Sequence, residues 1–165
     1  MWTIPSKAYR IDPLLESLKH RYFVDTAQDE DKQLCLHSAE LNATRKIAEE
    51  ISQEIVTFSK TKDLSGNNLT DFIPKDKMQQ NILVALNNVI VAGRYWEKRQ
   101  YLKEKGAEKD YTVYKCDVVV KIEKGDLADT IIAYKTKAEK TLSEKDKETL
   151  DTVIESYVAT LKSTN

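Results

Sequence analysis

The stretch Ala39-Glu40-Leu41-Asn42-Ala43-Thr44-Arg45-Lys46-Ile47-Ala48-Glu49-Glu50-Ile51-Ser52-Gln53-Glu54-Ile55 decides the fold. Ala39, Ala43, Ile47, Ile51 and Ile55, followed by Phe58, recur at spacings of three or four, the period that gathers side chains on one helix face. Glu40, Lys46, Glu49, Glu50, Gln53 and Glu54 fall on the water side. The acidic run Asp29-Glu30-Asp31 lies just upstream, where a helix dipole favours negative charge. The spacing predicts a helix over about Leu34 to Phe58. Its small residues come first, so its alanine end is expected to lie close against a sheet and its isoleucine end to pack more loosely.

Upstream, His20 to Ala27 is rich in aromatic and β-branched residues and predicts a strand. Asp12-Pro13-Leu14-Leu15 with Leu18 predicts a two-turn helix before it. Downstream, the periodicity stops from Thr61 to Pro74, where Ser65-Gly66-Asn67-Asn68 has turn chemistry, and a flexible crossover is expected. Met78, Ile82, Leu83, Leu86 and Val89 predict a second helix of about three turns. Val89 to Leu102 and Tyr111 to Ile122 then read as an antiparallel hairpin. Tyr114, Cys116, Val118, Val120 and Ile122 share one face, and Lys115, Asp117 and Lys121 share the other. Asp126 is expected to cap a third helix through Leu127, Ile131, Tyr134 and Ala138. Ser143-Glu144-Lys145-Asp146 resembles a capping box opening a last helix. That helix carries Leu150, Val153, Ile154, Tyr157, Val158 and Leu161 on one face, which must be buried on this domain or on a partner. The expected fold is α+β: one domain over 1–165 with its core in 20–140 and an additional helix over 143–163. A small antiparallel sheet of about three strands is expected under the long helix.

With 26 Lys and Arg against 27 Asp and Glu, the net charge of −1 lacks the basic excess of phosphate-backbone binding, so no nucleic-acid partner is expected. No apolar run reaches the roughly 20 residues that span a bilayer. Met1-Trp2-Thr3-Ile4-Pro5 lacks the segments of an export signal, and Met1 also fits an engineered start in place of one. Cys35 and Cys116 have no zinc or CxxC spacing and read first as buried free thiols. A long-range disulfide is the alternative and would favour an oxidising compartment.

Phosphate-loop, dinucleotide, nucleophile-elbow and zinc-protease signatures are absent, which leaves no catalytic, cofactor or metal residue to nominate. Cys35 and His37, two apart on a helix, point to different faces. His20 and His37 without a placed carboxylate make no metal site. Asn42-Ala43-Thr44 and Asn68-Leu69-Thr70 match the glycosylation pattern, the first inside the helix. The aromatics Tyr95, Trp96, Tyr101, Tyr111 and Tyr114 are expected to form an aromatic sheet face under the helices, with a binding surface as the alternative.

The order of strand, Ala-rich helix, loop, helix, long hairpin and helix resembles the LPP-twenty family of bacterial envelope lipoproteins. Ala39, Asn42, Ala43, Arg45, Ile47, Ala48 and Ile51 are similar to that family's A-x-x-x-A-x-x-x-(L/I)-A stretch. Tyr111-Thr112-Val113-Tyr114 and Val118-Val119-Val120, with Lys124 and Leu127, are similar to its final strand and following helix. The resemblance covers about Tyr22 to Lys140. It implies an exported, lipid-anchored, non-enzymatic protein of the periplasm or outer membrane, and related domains occur in flagellar assembly proteins. The chain departs from the family in having no lipobox cysteine near Met1, in showing the Pro-then-Trp entry only as Trp2 before Pro5, and in its helix after Ser143.

The expected function is therefore that of a non-enzymatic envelope protein without a cofactor, acting through another envelope protein or through self-association. Membrane attachment is expected only through an anchor absent from this chain. Tyr95, Trp96, Tyr101, Tyr157 and Leu161 are the candidate partner-binding residues. The alternatives are a small-molecule-binding domain or enzyme with a pocket between the long helix and the sheet, and a cytoplasmic structural protein.

Overall fold

The computed structural model of the chain describes residues 18–62 and 68–163. Within them the order is β1 (His20–Asp29), α1 (Lys32–Lys62), α2 (Lys75–Ala85), β2 (Ile90–Tyr101), β3 (Tyr111–Glu123), α3 (Lys124–Glu139) and α4 (Glu144–Lys162). The fold is α+β, and its antiparallel sheet has three strands in the order β1-β3-β2. The helix expected around Asp12 to Leu15 lies outside the described residues.

Asp31 starts α1: its Oδ1 accepts from the Leu34 N–H at 2.9 Å, which satisfies one of the donors that every helix start leaves unpaired. The helix runs two residues earlier and four later than its apolar stripe suggested, since capping sets the first limit and propagation past Phe58 needs no apolar residue. Cys35, Ala39 and Ala43 are fully buried on the face that meets β1 and β3. Side chains this small let the helix axis settle close to the sheet. There Cys35 and Cys116 form a disulfide with their Cα atoms 5.9 Å apart. The reading as free thiols is thus corrected: the thiols are buried, as small apolar side chains would be, but the close approach that the alanines permit brings them within bonding reach.

The second half of α1 outruns the sheet. Ile47, Ile51 and Ile55 are fully buried, each contributing about 1.5–3 kcal/mol of burial, and α2 and α4 pack against that half while α3 packs on α2 and α4. Leu150, Val153, Ile154, Tyr157, Val158 and Leu161 of α4 join the same hydrophobic core, so the last helix is integral to the domain. At the junction Arg21 of β1 donates twice to Glu54, at 2.9 and 2.8 Å, and the Tyr157 hydroxyl donates to Glu54 Oε1 at 2.9 Å. One carboxylate therefore ties β1, α1 and α4 together. The hydroxyls of buried Ser52 and Ser59 donate back to carbonyls one turn earlier, at 2.9 and 2.7 Å, which removes the cost of burying them.

Other boundaries differ from the periodicity. α2 stops at Ala85, and Leu86 and Val89 pack on the core from an extended connection. Within that connection Asn88 has a φ of 61°, one that Asn tolerates better than most residues. α3 follows β3 directly from Glu123, so Asp126 is not its cap but lies in its first turn. The crossover before α2 is anchored over its described part. Asn68 caps a short 3-10 turn, and Leu69 and Ile73 are buried.

Replacing Cys35 and Cys116 by serine is expected to lower unfolding stability by about 4 kcal/mol, because the bond closes a loop of 81 residues; chemical denaturation measures this. Tyr157→Phe is expected to cost about 1–3 kcal/mol through loss of a bond to a carboxylate. Tyr134 is also buried, but its hydroxyl has no hydrogen-bond partner among the described residues, so Tyr134→Phe is expected to be neutral or stabilising by about 1 kcal/mol. Burial, joined at Tyr157 by the charge of Glu54, pushes both phenols well up. The folded state then keeps protons that an unfolded chain releases near pH 10, so stability should be unaffected by these groups below about pH 10 and fall above it. An alkaline series of melting curves, flattened in the two phenylalanine variants, is the check.

Candidate functional site

The sheet is covered unevenly. α1 runs along β1 and β3 and barely reaches β2. On β2, Tyr95, Glu97 and Arg99 lie opposite Asp117, Lys115 and Val113 on the outer face, while Arg94, Trp96 and Lys98 lie opposite Val118, Cys116 and Tyr114 on the helix face. Tyr95 is 62% and Trp96 51% exposed. This overturns the expectation of an aromatic face under helices for all but Tyr114, which packs on the core: α1 begins at Lys32, level with Trp96, and among the described residues no helix extends over the rest of the hairpin.

The aromatics are nevertheless held in place. Lys32 Nζ sits 4.0 Å from the centre of the Trp96 ring, a cation–π contact, and Trp96 meets Tyr114 edge-on at 5.9 Å. Tyr95 folds its ring back over Gly93, where a Cβ would come within 3.0 Å of the ring; glycine is what permits that approach. Tyr101 stacks on Tyr111 with centroids 4.7 Å apart. A groove of about 480 Å³ crosses the outer face beside Gln28, Tyr95, Arg99 and Asp117. A second, of about 490 Å³, lies at the hairpin end beside Tyr101 and Tyr111.

Of the five candidate partner residues, Tyr95 and Trp96 are open to solvent and Tyr101 is half-buried. Tyr157 and Leu161 are only 4% and 8% exposed, packed inside their own domain, so in this arrangement they present no docking surface. A periodic stripe shows that a face must be buried, not against what.

The structure does not gather catalytic chemistry. His20 pairs with Glu123 at one end of the sheet, whereas His37 follows Cys35, which is bonded opposite Ala27; seven strand positions, roughly 23 Å, separate the two regions. Among the described residues no group of three His, Cys, Asp or Glu side chains could hold a metal. Ala39, Ala43 and Ile47, which would line a pocket between α1 and the sheet, have no solvent-exposed surface. Both glycosylation-pattern amides are engaged, Asn42 Nδ2 donating to Thr26 O at 2.9 Å and Asn68 capping its turn. The titratable groups with shifted pKa values outside the hairpin serve packing. Lys135 bridges Asp151 at 2.8 Å, which joins α3 to α4, and the closeness of the two carboxyls holds Glu139 above and Asp151 below its ordinary value.

Tyr95→Ala and Trp96→Ala are each expected to change stability by no more than about 0.5–1 kcal/mol, as exposed substitutions do, while Leu161→Ala should cost about 2–4 kcal/mol through the cavity it leaves. Thermal unfolding of the three variants separates them. Comparison with known proteins finds no family pattern and no curated sequence that matches this chain.

Proposed function

We propose that the protein is a non-enzymatic component of a bacterial cell envelope that acts by binding protein through its β2–β3 hairpin. The observation that carries this reading is the exposure of Tyr95 and Trp96 on a strand that α1 barely reaches. Large amphipathic rings held in fixed orientations lose little entropy on contact, and such residues supply much of the energy at interfaces. The buried Cys35–Cys116 disulfide supports an exported protein, because such bonds persist in oxidising compartments. The similarity of the Ala-striped helix and last strand to the LPP-twenty lipoproteins supports the same location, with a lipid anchor attached upstream.

Two measurements test the reading. The genomic codons preceding Trp2 should encode a signal sequence and a lipobox cysteine, and an uninterrupted cytoplasmic reading frame there would remove the envelope assignment. In cells, a photo-reactive residue at position 95 should cross-link to protein, and the cross-link should be lost on Trp96→Ser with thermal stability unchanged. Cross-linking equal to that from a probe at Lys145 on α4 would remove the hairpin from the argument.

A further inference from the structure

The two edges of the sheet differ. Along β1, helix α1 reaches over and engages two backbone carbonyls: Asn42 Nδ2 donates to Thr26 O at 2.9 Å and Lys46 Nζ to Val24 O at 3.1 Å. Along β2, among the described residues, no side chain is bonded to the outward backbone and α1 barely reaches the strand. The register irregularity falls between Val91 and Gly93, so Gly93 to Tyr101 forms an uninterrupted ladder with β3 and leaves a regular outer edge. Such an edge is a template for another strand unless something blocks it.

The sequence of this edge matches itself. Antiparallel strands place residues of the same face opposite each other, so a second β2 can align about any one residue. Alignment about Glu97 sets two carboxylates together, and alignment about Arg99 sets two guanidiniums together. Alignment about Trp96 opposes Arg94 to Lys98 twice. Alignment about Lys98 places Glu97 opposite Arg99 twice and Tyr95 opposite Tyr101 twice on the outer face, with Trp96 opposite Gln100 on the other. Its single like-charged pair is Lys98 with itself, on the part of the helix face that α1 does not reach, where both side chains are exposed to water. Glu97 and Arg99 pair along one strand at 3.2 Å, so both charges lie on the outer face, and in the pair each can exchange or share this partner with its counterpart on the second copy.

We propose that two copies of this chain pair their β2 strands antiparallel about Lys98, joining two three-stranded sheets into one of six strands. The proposal rests on the hairpin being the interaction surface and names its partner as a second copy. Space permits it: three strand spacings put the two β3 strands about 14 Å apart, and α1, about 10 Å wide, lies over β3 and β1, so the two helices flank a trough instead of colliding. The pairing is isologous, each copy giving and receiving the same contacts.

The test uses purified, oxidised full-length protein alone. Sedimentation equilibrium should show a concentration-dependent rise from 18.9 kDa towards twice that mass. Lys98→Cys should cross-link two copies under mild oxidation, because opposed Cβ atoms in such a pair lie about 4.5–5.5 Å apart; Lys109→Cys in the hairpin turn should not. Glu97→Arg and Arg99→Glu should each raise the dimer dissociation constant about tenfold, and the double exchange should restore it. The proposal is overturned by a mass of 18.9 kDa at every concentration together with no cross-link at position 98. It is equally overturned by a dimer that ignores both charge reversals or cross-links as well through position 109. A monomer that still cross-links from position 95 to a different protein in cells would sink self-pairing alone and leave the hairpin as the interaction surface.

Discussion

A single covalent bond is set where α1 crosses the middle strand, and the rest of the architecture is arranged around that crossing. Cys35 lies one turn into the helix and Cys116 in β3, the strand bonded on both sides. Joining them fixes the start of the helix over the centre of the sheet. From that point the path of a straight helix is determined. Ala39 and Ala43 follow it along β1 and β3, and its remaining turns carry it past the sheet, where Ile51 and Ile55 become the core of a helical layer. The bond also shrinks the unfolded ensemble, since it closes about half of the chain into one loop.

The same helix thus packs on two layers, sheet and helices, with one stripe. Small residues suit the half on the sheet, where backbones approach closely, and isoleucines suit the half on α2 and α4, where neighbouring helices stand about 8–10 Å apart. Glu54 sits at the transition. Its two oxygens receive the Arg21 guanidinium and its Oε1 also the Tyr157 hydroxyl, so a largely apolar junction gains a directional contact that apolar packing lacks. Arg21 is itself held further towards its charged form by Glu54, against the opposing effect of its burial.

Much of this was legible in the sequence, because the stripe from Ala39 to Ile55 and the alternation from Tyr114 to Ile122 depend on periods that packing must respect. The strands, the long helix and the Ser143 cap follow from local rules. What local rules do not contain is which surface meets which. Leu86 and Val89 continue a helical spacing yet lie outside α2, because the backbone leaves helical angles at Leu86. The apolar face of α4 needed a cover, and periodicity could not say that α1 and α3 supply it. The hairpin aromatics looked like core by composition, and their exposure follows from where α1 begins and how few strands it spans. The disulfide needed a distance, which spacing along the chain does not encode.

Asn42 and Lys46 illustrate how a helix can act on a sheet it also packs against. By engaging the carbonyls of Thr26 and Val24, they make β1 the poorer of the sheet's two margins for an added strand. Such a unit has a preferred valence of one: a strand taken up at β2 leaves the partly occupied margin outermost, and the arrangement that holds α1 in place works against growth into a fibre.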